Sequence, residues 1–148
     1  MVFHIRQPET EAEFKHYYHL RWKLLRAPWK QPEGSEYDEL EDQCFHLMAV
    51  DEDAQVIAVA RLQFNSEKEA QIRYMAVEPV HERRGIGKQL INLMERHAIE
   101  KNCTQVILDA REPAIGFYKR SGYEIIEKTY LLFEEIQHYR MRKDLTDI

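Results

Sequence analysis

Residues 71–90 read Gln71-Ile72-Arg73-Tyr74-Met75-Ala76-Val77-Glu78-Pro79-Val80-His81-Glu82-Arg83-Arg84-Gly85-Ile86-Gly87-Lys88-Gln89-Leu90, and the fold turns on this stretch. Gln71 to Val77 is read as a strand. Arg83-Arg84-Gly85-Ile86-Gly87-Lys88 then leads into an amphipathic helix from Gly85 to Lys101, with Ile86, Leu90, Leu93, Met94, His97 and Ala98 on one stripe and Asn102 as its stop. Glycines at such a turn let the backbone come close to a ligand, and the first N–H groups of a helix have no intrahelical partner. Those donors, helped by the helix dipole, bind phosphate. Arg83, Arg84 and Lys88 add positive charge there against one acid, Glu82. A purely structural tight turn would use the same residues. Two familiar phosphate motifs do not fit. A Walker A loop needs glycine at position 82 and a hydroxyl residue after Gly87-Lys88, where Glu82 and Gln89 stand. A dinucleotide fingerprint needs a third glycine where Leu90 stands, although Asp109 lies at roughly the right distance for a ribose contact.

Working outward toward the N-terminus, Cys44–Asp51 and Gln55–Asn65 read as two strands joined by the polar Asp51-Glu52-Asp53-Ala54, a hairpin without the Asn-Gly signature. Val2–Gln7 reads as a short strand with Phe3 and Ile5 on one face. Thr10 with Glu13 three residues on has the capping-box spacing, opening a helix that runs to about Arg26. Its stripe is Phe14, Tyr17, Tyr18, Arg21, Trp22 and Leu25, and Arg21 is the misfit. Pro28 and Pro32 stop the helix. From Glu33 to Asp42 six of ten residues are acidic (Glu33, Glu36, Asp38, Glu39, Glu41, Asp42) and none is basic. The segment is either a solvated loop or a funnel for a cationic amine, with one carboxylate free to pair the inward Arg21. Toward the C-terminus, Val106-Ile107-Leu108 lacks alternation and reads as a strand buried on both faces. Pro113 starts a short helix that Gly122 ends, and strands follow around Tyr123–Phe133 and Ile136–Lys143. This order fits an α/β (α+β) fold: a single mixed, mostly antiparallel twisted sheet with helices on both faces, spanning 1–148 as one domain.

Composition narrows the function classes. The chain has 148 residues with 21 Lys+Arg against 26 Asp+Glu, a net charge of -5 that disfavours sequence-independent nucleic-acid binding. At 44% hydrophobic it exceeds what disordered chains carry. No apolar run approaches the ~20 residues of a membrane span, and the N-terminus lacks the pattern of a signal peptide. A soluble, cytoplasmic protein that binds neither nucleic acid nor membrane is expected. Cys44 and Cys103 offer no disulfide framework or CxxC pair, and the histidines show no metal spacing, so no metal is expected. Of the five glycines, four (Gly85, Gly87, Gly116, Gly122) fall within one short stretch.

Three pieces in that stretch carry a resemblance: Tyr74-Met75-Ala76-Val77-Glu78-Pro79, Glu82-Arg83-Arg84-Gly85-Ile86-Gly87, and Ala114-Ile115-Gly116-Phe117-Tyr118-Lys119-Arg120-Ser121-Gly122-Tyr123. In this order and spacing the chain resembles the GNAT superfamily of acyl-CoA-dependent N-acetyltransferases. The resemblance implies direct transfer of an acetyl group from acetyl-CoA, the cosubstrate, to a primary amine of a small molecule or peptide. It assigns the pyrophosphate to the loop Arg83, Arg84, Gly85, Ile86, Gly87, Lys88. It gives the thioester and pantetheine to the strand Met75, Ala76, Val77, where a fixed N–H faces the charge that develops on the thioester oxygen. Glu82 departs from the usual Arg or Gln at the first motif position and is expected to point outward. Tyr118 matches the tyrosine that protonates the departing thiolate in many members; by residue pattern alone it could equally pack beside Phe117. Arg111 stands where the family often has Asn, and reads either as a CoA-phosphate partner or as a surface residue.

The base that takes the amine proton is not assigned by the resemblance, because the matching position is Gln71, which does not titrate. Candidates are Glu41, Asp42, His46 and His138; His138 has a useful intrinsic pKa and is taken with Tyr118 as the catalytic pair. The rival reading is a catalytically inactive acyl-CoA-binding or regulatory module, supported by Gln71 and Glu82. The third is a ligand-free interaction domain. The acceptor-side segment, Trp22 to Asp42, holds no recognition motif; Trp29 and Tyr37 could wall a substrate or pack the loop. A homodimer is one open assembly.

Overall fold

A computed structural model of the chain describes residues 2–147. The elements run β1 (Phe3–Arg6), α1 (Glu11–Leu25), β2 (Phe45–Asp51), β3 (Val56–Phe64), β4 (Glu69–Val77), α2 (Ile86–Glu100), β5 (Gln105–Arg111), α3 (Ile115–Arg120), β6 (Glu124–Leu132) and β7 (Ile136–Asp144). The strands form one sheet in the order β1-β2-β3-β4-β5-β7-β6. The β1–β2, β2–β3, β5–β7 and β6–β7 pairings are antiparallel and β4–β5 is parallel, which is the mixed architecture expected. Contacts gather the chain into two compact units, one running through Gln63 and including Tyr74–Leu90, the other combining Phe64–Arg73 with Ile91 onward.

In the first unit, α1 begins as its sequence requires. The Thr10 hydroxyl accepts from the Glu13 amide at 3.1 Å, and the Glu13 carboxylate accepts from the Thr10 amide, closing the capping box. The helix packs Tyr17 and Leu20 against Met48, Val50 and Val59, with Phe14, Tyr18, Leu24 and Ala76 around them. Leu20, outside the expected stripe, is buried because the apolar face is wider than one row of i, i+3, i+4 positions. At the β2–β3 hairpin, Asp51 Oδ1 accepts from the Asp53 and Gln55 amides, so an Asx turn takes the place of an Asn-Gly pair.

In the second unit, β4 and β5 pair from Glu69↔Gln105 to Ile72↔Leu108. Val106, Ile107 and Leu108 are buried, as their unbroken apolar run requires. Asn102 ends α2 with φ +68, and a short 3-10 turn, Glu112–Ala114, precedes α3. The buried Tyr123 donates its phenol to Glu95 at 2.8 Å, and Lys143 pairs the other oxygen of Glu95 at 2.9 Å, so this helical carboxylate is satisfied inside the fold. β6 lies at the end of the sheet with register irregularities between Ile125/Glu127 and Lys128/Leu131, and Ile125, Ile126, Tyr130 and Leu131 are exposed on it.

Gly122 adopts φ +96, and a Cβ there would lie 3.1 Å from Lys143 Cε. Gly122→Ala should therefore destabilise by more than about 1 kcal/mol. Gly116→Ala, inside a helix with ordinary φ, should be neutral or stabilising. Urea denaturation of the two variants checks the difference in sign.

Candidate active site

The loop before α2 contains two left-handed residues. Arg83 has φ +64 and Gly85 φ +83, left-handed backbone of the kind from which anion-binding turns are made. A Cβ built on Gly85 would meet nothing within 4 Å, so glycine is required there for its dihedral and the space beside it is open. Glu82, Arg83, Arg84 and Lys88 are exposed, Gly87 is half-buried and Ile86 is buried, anchoring the first turn. Glu82 thus lies outward, as expected. The first turn of α2 contains no acid, whereas that of α1 carries Glu11 and Glu13. Acids at a helix N-terminus offset its positive end. At α2 that end is left positive, with basic residues added to it.

Upstream in the same unit, β4 contains a kink. Tyr74 has φ +51 in the middle of the strand, an unusual conformation for an aromatic residue, and Met75, Ala76 and Val77 follow it half-buried. The strand's far end is held by the Glu78 amide, which donates to the Ile57 carbonyl at 2.8 Å, and by the Lys23–Glu78 ion pair at 3.1 Å.

The misfit Arg21 is explained by the acidic segment. Arg21 is fully buried and donates from Nη1 to Glu41 Oε2 at 2.9 Å and to the Glu36 carbonyl at 3.1 Å, and from Nη2 to the Tyr17 hydroxyl at 3.1 Å. Arg61, on β3 and equally buried, donates to the same Glu41 oxygen at 2.6 Å and forks onto both oxygens of Asp38 at 2.7 and 3.0 Å. Glu36 accepts from the Gly34 amide at 2.7 Å. Three of the six acids therefore face inward, leaving Glu33, Glu39 and Asp42 exposed. Tyr37 is exposed beside Tyr18, with ring centroids 5.4 Å apart, and Trp29 is half-buried. His46 joins this cluster, with Nδ1 2.8 Å from the Tyr17 hydroxyl and Nε2 2.8 Å from the Glu41 carbonyl. Burial lowers its pKa, opposed by the Glu41 carbonyl and reinforced by Arg21. Glu41 and His46, both candidate bases, are thus engaged in holding this loop. Arg61 went unrecognised in the sequence, since a single Arg in an apolar strand gives no sign of its distant partners.

In the second unit α3 presents Tyr118, which is buried, with its ring 5.1 Å from Phe117 and 6.1 Å from Tyr123. Burial pushes its phenol up to about 12, with Arg111 acting the other way. Tyr118 is therefore fully protonated at neutral pH. His138, on β7, is in register with Arg111 on β5. It is buried, stacks on Tyr130 at 4.4 Å, and places Nδ1 3.0 Å from the Ile136 carbonyl. Burial lowers its pKa, opposed by the Ile136 carbonyl and reinforced by Arg111, with Asp109 and the Tyr130 carbonyl pulling upward. Gln71 is buried and accepts from Asn65 Nδ2 at 3.0 Å. Cys44 and Cys103 are unpaired thiols, and burial raises both. Among the described residues no group of three His, Cys, Asp or Glu is placed to hold a metal, and no helix is long and apolar enough to cross a membrane.

These elements belong to the acyl-CoA N-acyltransferase class of fold. An acyl-CoA N-acyltransferase from Pseudomonas aeruginosa superposes with a TM-score of 0.79 at 26% identity, covering 96% of this chain and 98% of that one. An aminoglycoside 6'-N-acetyltransferase solved with coenzyme A gives a TM-score of 0.77 at 15% identity, covering 98% and 97% of the two chains. The uncharacterized N-acetyltransferase YjcF of Bacillus subtilis (strain 168) is 26% identical over 136 residues, 92% of this chain and 96% of that one. The profile of the Acetyltransferase (GNAT) family matches residues 14–123, and the chain belongs to that family.

Removing the Glu41 carboxylate leaves two buried guanidinium groups short of a partner, so Glu41→Ala should cost about 3–5 kcal/mol. Glu33→Ala, on an exposed acid of the same segment, should stay within about 0.5 kcal/mol, and denaturation midpoints compare the two. His46, His97 and His138 all have depressed pKa values in the fold. Between those values and the unfolded pKa of about 6.5 the unfolded chain binds more protons, so stability should fall as pH drops from 7 toward 5. Urea titrations across that range, repeated on His138→Gln, should show a shallower pH dependence in the variant.

Proposed function

We propose that this chain is an acyl-CoA-dependent N-acetyltransferase, a single domain acting in the cytoplasm, that moves an acetyl group from acetyl-CoA to a primary amine of a small molecule or peptide. The observation that carries this reading is the N-terminus of α2: left-handed residues at 83 and 85, no acid in the first turn and Lys88 within it. A helix end so arranged is electrostatically incomplete without an anion, and a pyrophosphate supplies one. Arg83, Arg84 and Lys88 would pair the phosphates, while the amides of Gly85, Ile86 and Gly87 donate to them. When bound, the cosubstrate supplies the activated thioester.

The chain's own residues then have separable tasks. The Met75 N–H donates to the thioester oxygen as charge builds there, with Ala76 and Val77 holding the pantetheine by their backbone. Tyr118 donates its phenolic proton to the sulfur as the C–S bond breaks, a role that suits a hydroxyl kept protonated by burial. His138, neutral at pH 7, takes the proton released by the amine. The exposed Glu33, Glu39 and Asp42 favour a cationic acceptor on approach.

A thiol-release assay with acetyl-CoA and a broad amine panel tests the reading, with CoA binding measured in parallel. Tyr118→Phe should lower kcat about 10²-fold while CoA affinity is retained. Equal loss of turnover and CoA binding would assign Tyr118 to packing. Saturable CoA binding with no thiol release from any amine would favour an inactive acyl-CoA-binding module, consistent with Gln71 and Glu82.

A further inference from the structure

The kink at Tyr74 is held by an unusual set of neighbours. The guanidinium carbon of Arg21 lies 4.4 Å from the Tyr74 ring centroid, that of Arg61 at 4.8 Å and that of Arg26 at 5.6 Å. Arg21 and Arg61 have no exposed surface. Their terminal nitrogens are occupied by Glu41, Asp38, Tyr17 and the Glu36 carbonyl, while the buried Nε atoms of both find no hydrogen-bond acceptor. A buried N–H without an acceptor is costly, and the π-face of an aromatic ring partly offsets that cost for a cation lying over it. Arg26 is fixed separately, donating to the carbonyls of Ser35 and Leu25 at 3.1 and 2.9 Å. Cations from α1 and β3 therefore converge on one ring of β4, and that ring belongs to the residue with φ +51.

Left-handed backbone at a residue with a Cβ persists only where surrounding contacts over-determine it. The ring of Tyr74 is the part those contacts grip. A change of φ at 74 re-aims every peptide group that follows, beginning with the amide of Met75.

We propose that Tyr74 is a positioning residue: its ring, held by Arg21 and Arg61, fixes the β4 kink and so aims the Met75 N–H. This rests on the role proposed above for the Met75 amide. It also gives the acidic segment a function, since Asp38 and Glu41 neutralise and orient the two arginines that grip the ring.

Tyr74→Phe and Tyr74→Leu provide the test in the full-length protein. Phenylalanine keeps the π-face and leucine does not. Tyr74→Leu should lower kcat about 10- to 100-fold, the scale of a small misplacement of a reacting group, with the KM for acetyl-CoA and the Kd for CoA within about threefold of wild type. Tyr74→Phe should recover turnover to within about threefold of wild type. Unchanged turnover in Tyr74→Leu would overturn the proposal. So would a Phe variant as slow as the Leu variant, or parallel losses of kcat, CoA affinity and thermal stability. Should Tyr74→Leu not fold, Tyr74→Ala, which also lacks the ring and disfavours positive φ, carries the same kinetic expectation. A readout independent of activity separates this inference from the proposed function. In a crystal structure of Tyr74→Leu, residue 74 should return to extended φ, and retention of the positive φ would overturn the inference even if the wild-type protein releases no thiol.

Discussion

One carboxylate oxygen, Glu41 Oε2, takes hydrogen bonds from Arg21, Arg61 and the Asp38 amide, and the first unit is organised around it. Burying a guanidinium is tolerable only when its charge is matched and its donors are used. Two such groups side by side need two acids, and the loop after α1 supplies Asp38 and Glu41. The helix, the loop and β3 are thereby joined by charge in addition to the apolar packing of Tyr17 and Leu20 on Val59. Such a network adds little net stability over a well-packed apolar core, but it admits very few geometries. Placed against the Tyr74 ring of β4, it fixes the surroundings of that residue.

Much of the fold was legible because its signals are local. Thr10 and Glu13 announce the start of α1, the Val106–Leu108 run announces a buried strand, and Asn102 and Gly122 stand where a left-handed residue closes a helix. The candidate loop was legible for the same reason, since glycine spacing and basic residues lie within a few positions of one another. What escaped is what depends on residues distant in sequence. Arg61 pairs with Asp38, an interaction that alternation within a strand does not encode. Glu95 lies outside the apolar stripe read for α2, and its partners Tyr123 and Lys143 are distant in sequence. Tyr74 escaped for another reason: left-handed backbone is flagged in sequence by glycine or asparagine, and an aromatic residue in that state is produced by its surroundings.

The two long helices begin in opposite electrostatic conditions. α1 is closed by its own cap and acids, so its N-terminus is finished when the chain folds. α2 begins on a glycine-containing turn with basic neighbours and no acid in its first turn. The contrast within one small protein separates a helix end whose dipole is offset by its own residues from one whose dipole is not. It also links affinity to folding, because whatever anion settles there removes a positive end that the sequence leaves uncompensated.

The end strand β6 shows a different economy. Its apolar side chains Ile125, Ile126, Tyr130 and Leu131 are exposed at the margin of the sheet, where an unguarded strand would recruit its like from another molecule. Glu124 flanks and Glu127 and Lys128 interrupt that apolar row, and the two register irregularities break the regular ladder that stacking chains require. Protection of this margin thus rests on strand irregularity and three charges together. A substitution that smoothed β6 or neutralised those charges would favour edge-to-edge association between molecules while leaving the interior packing unchanged.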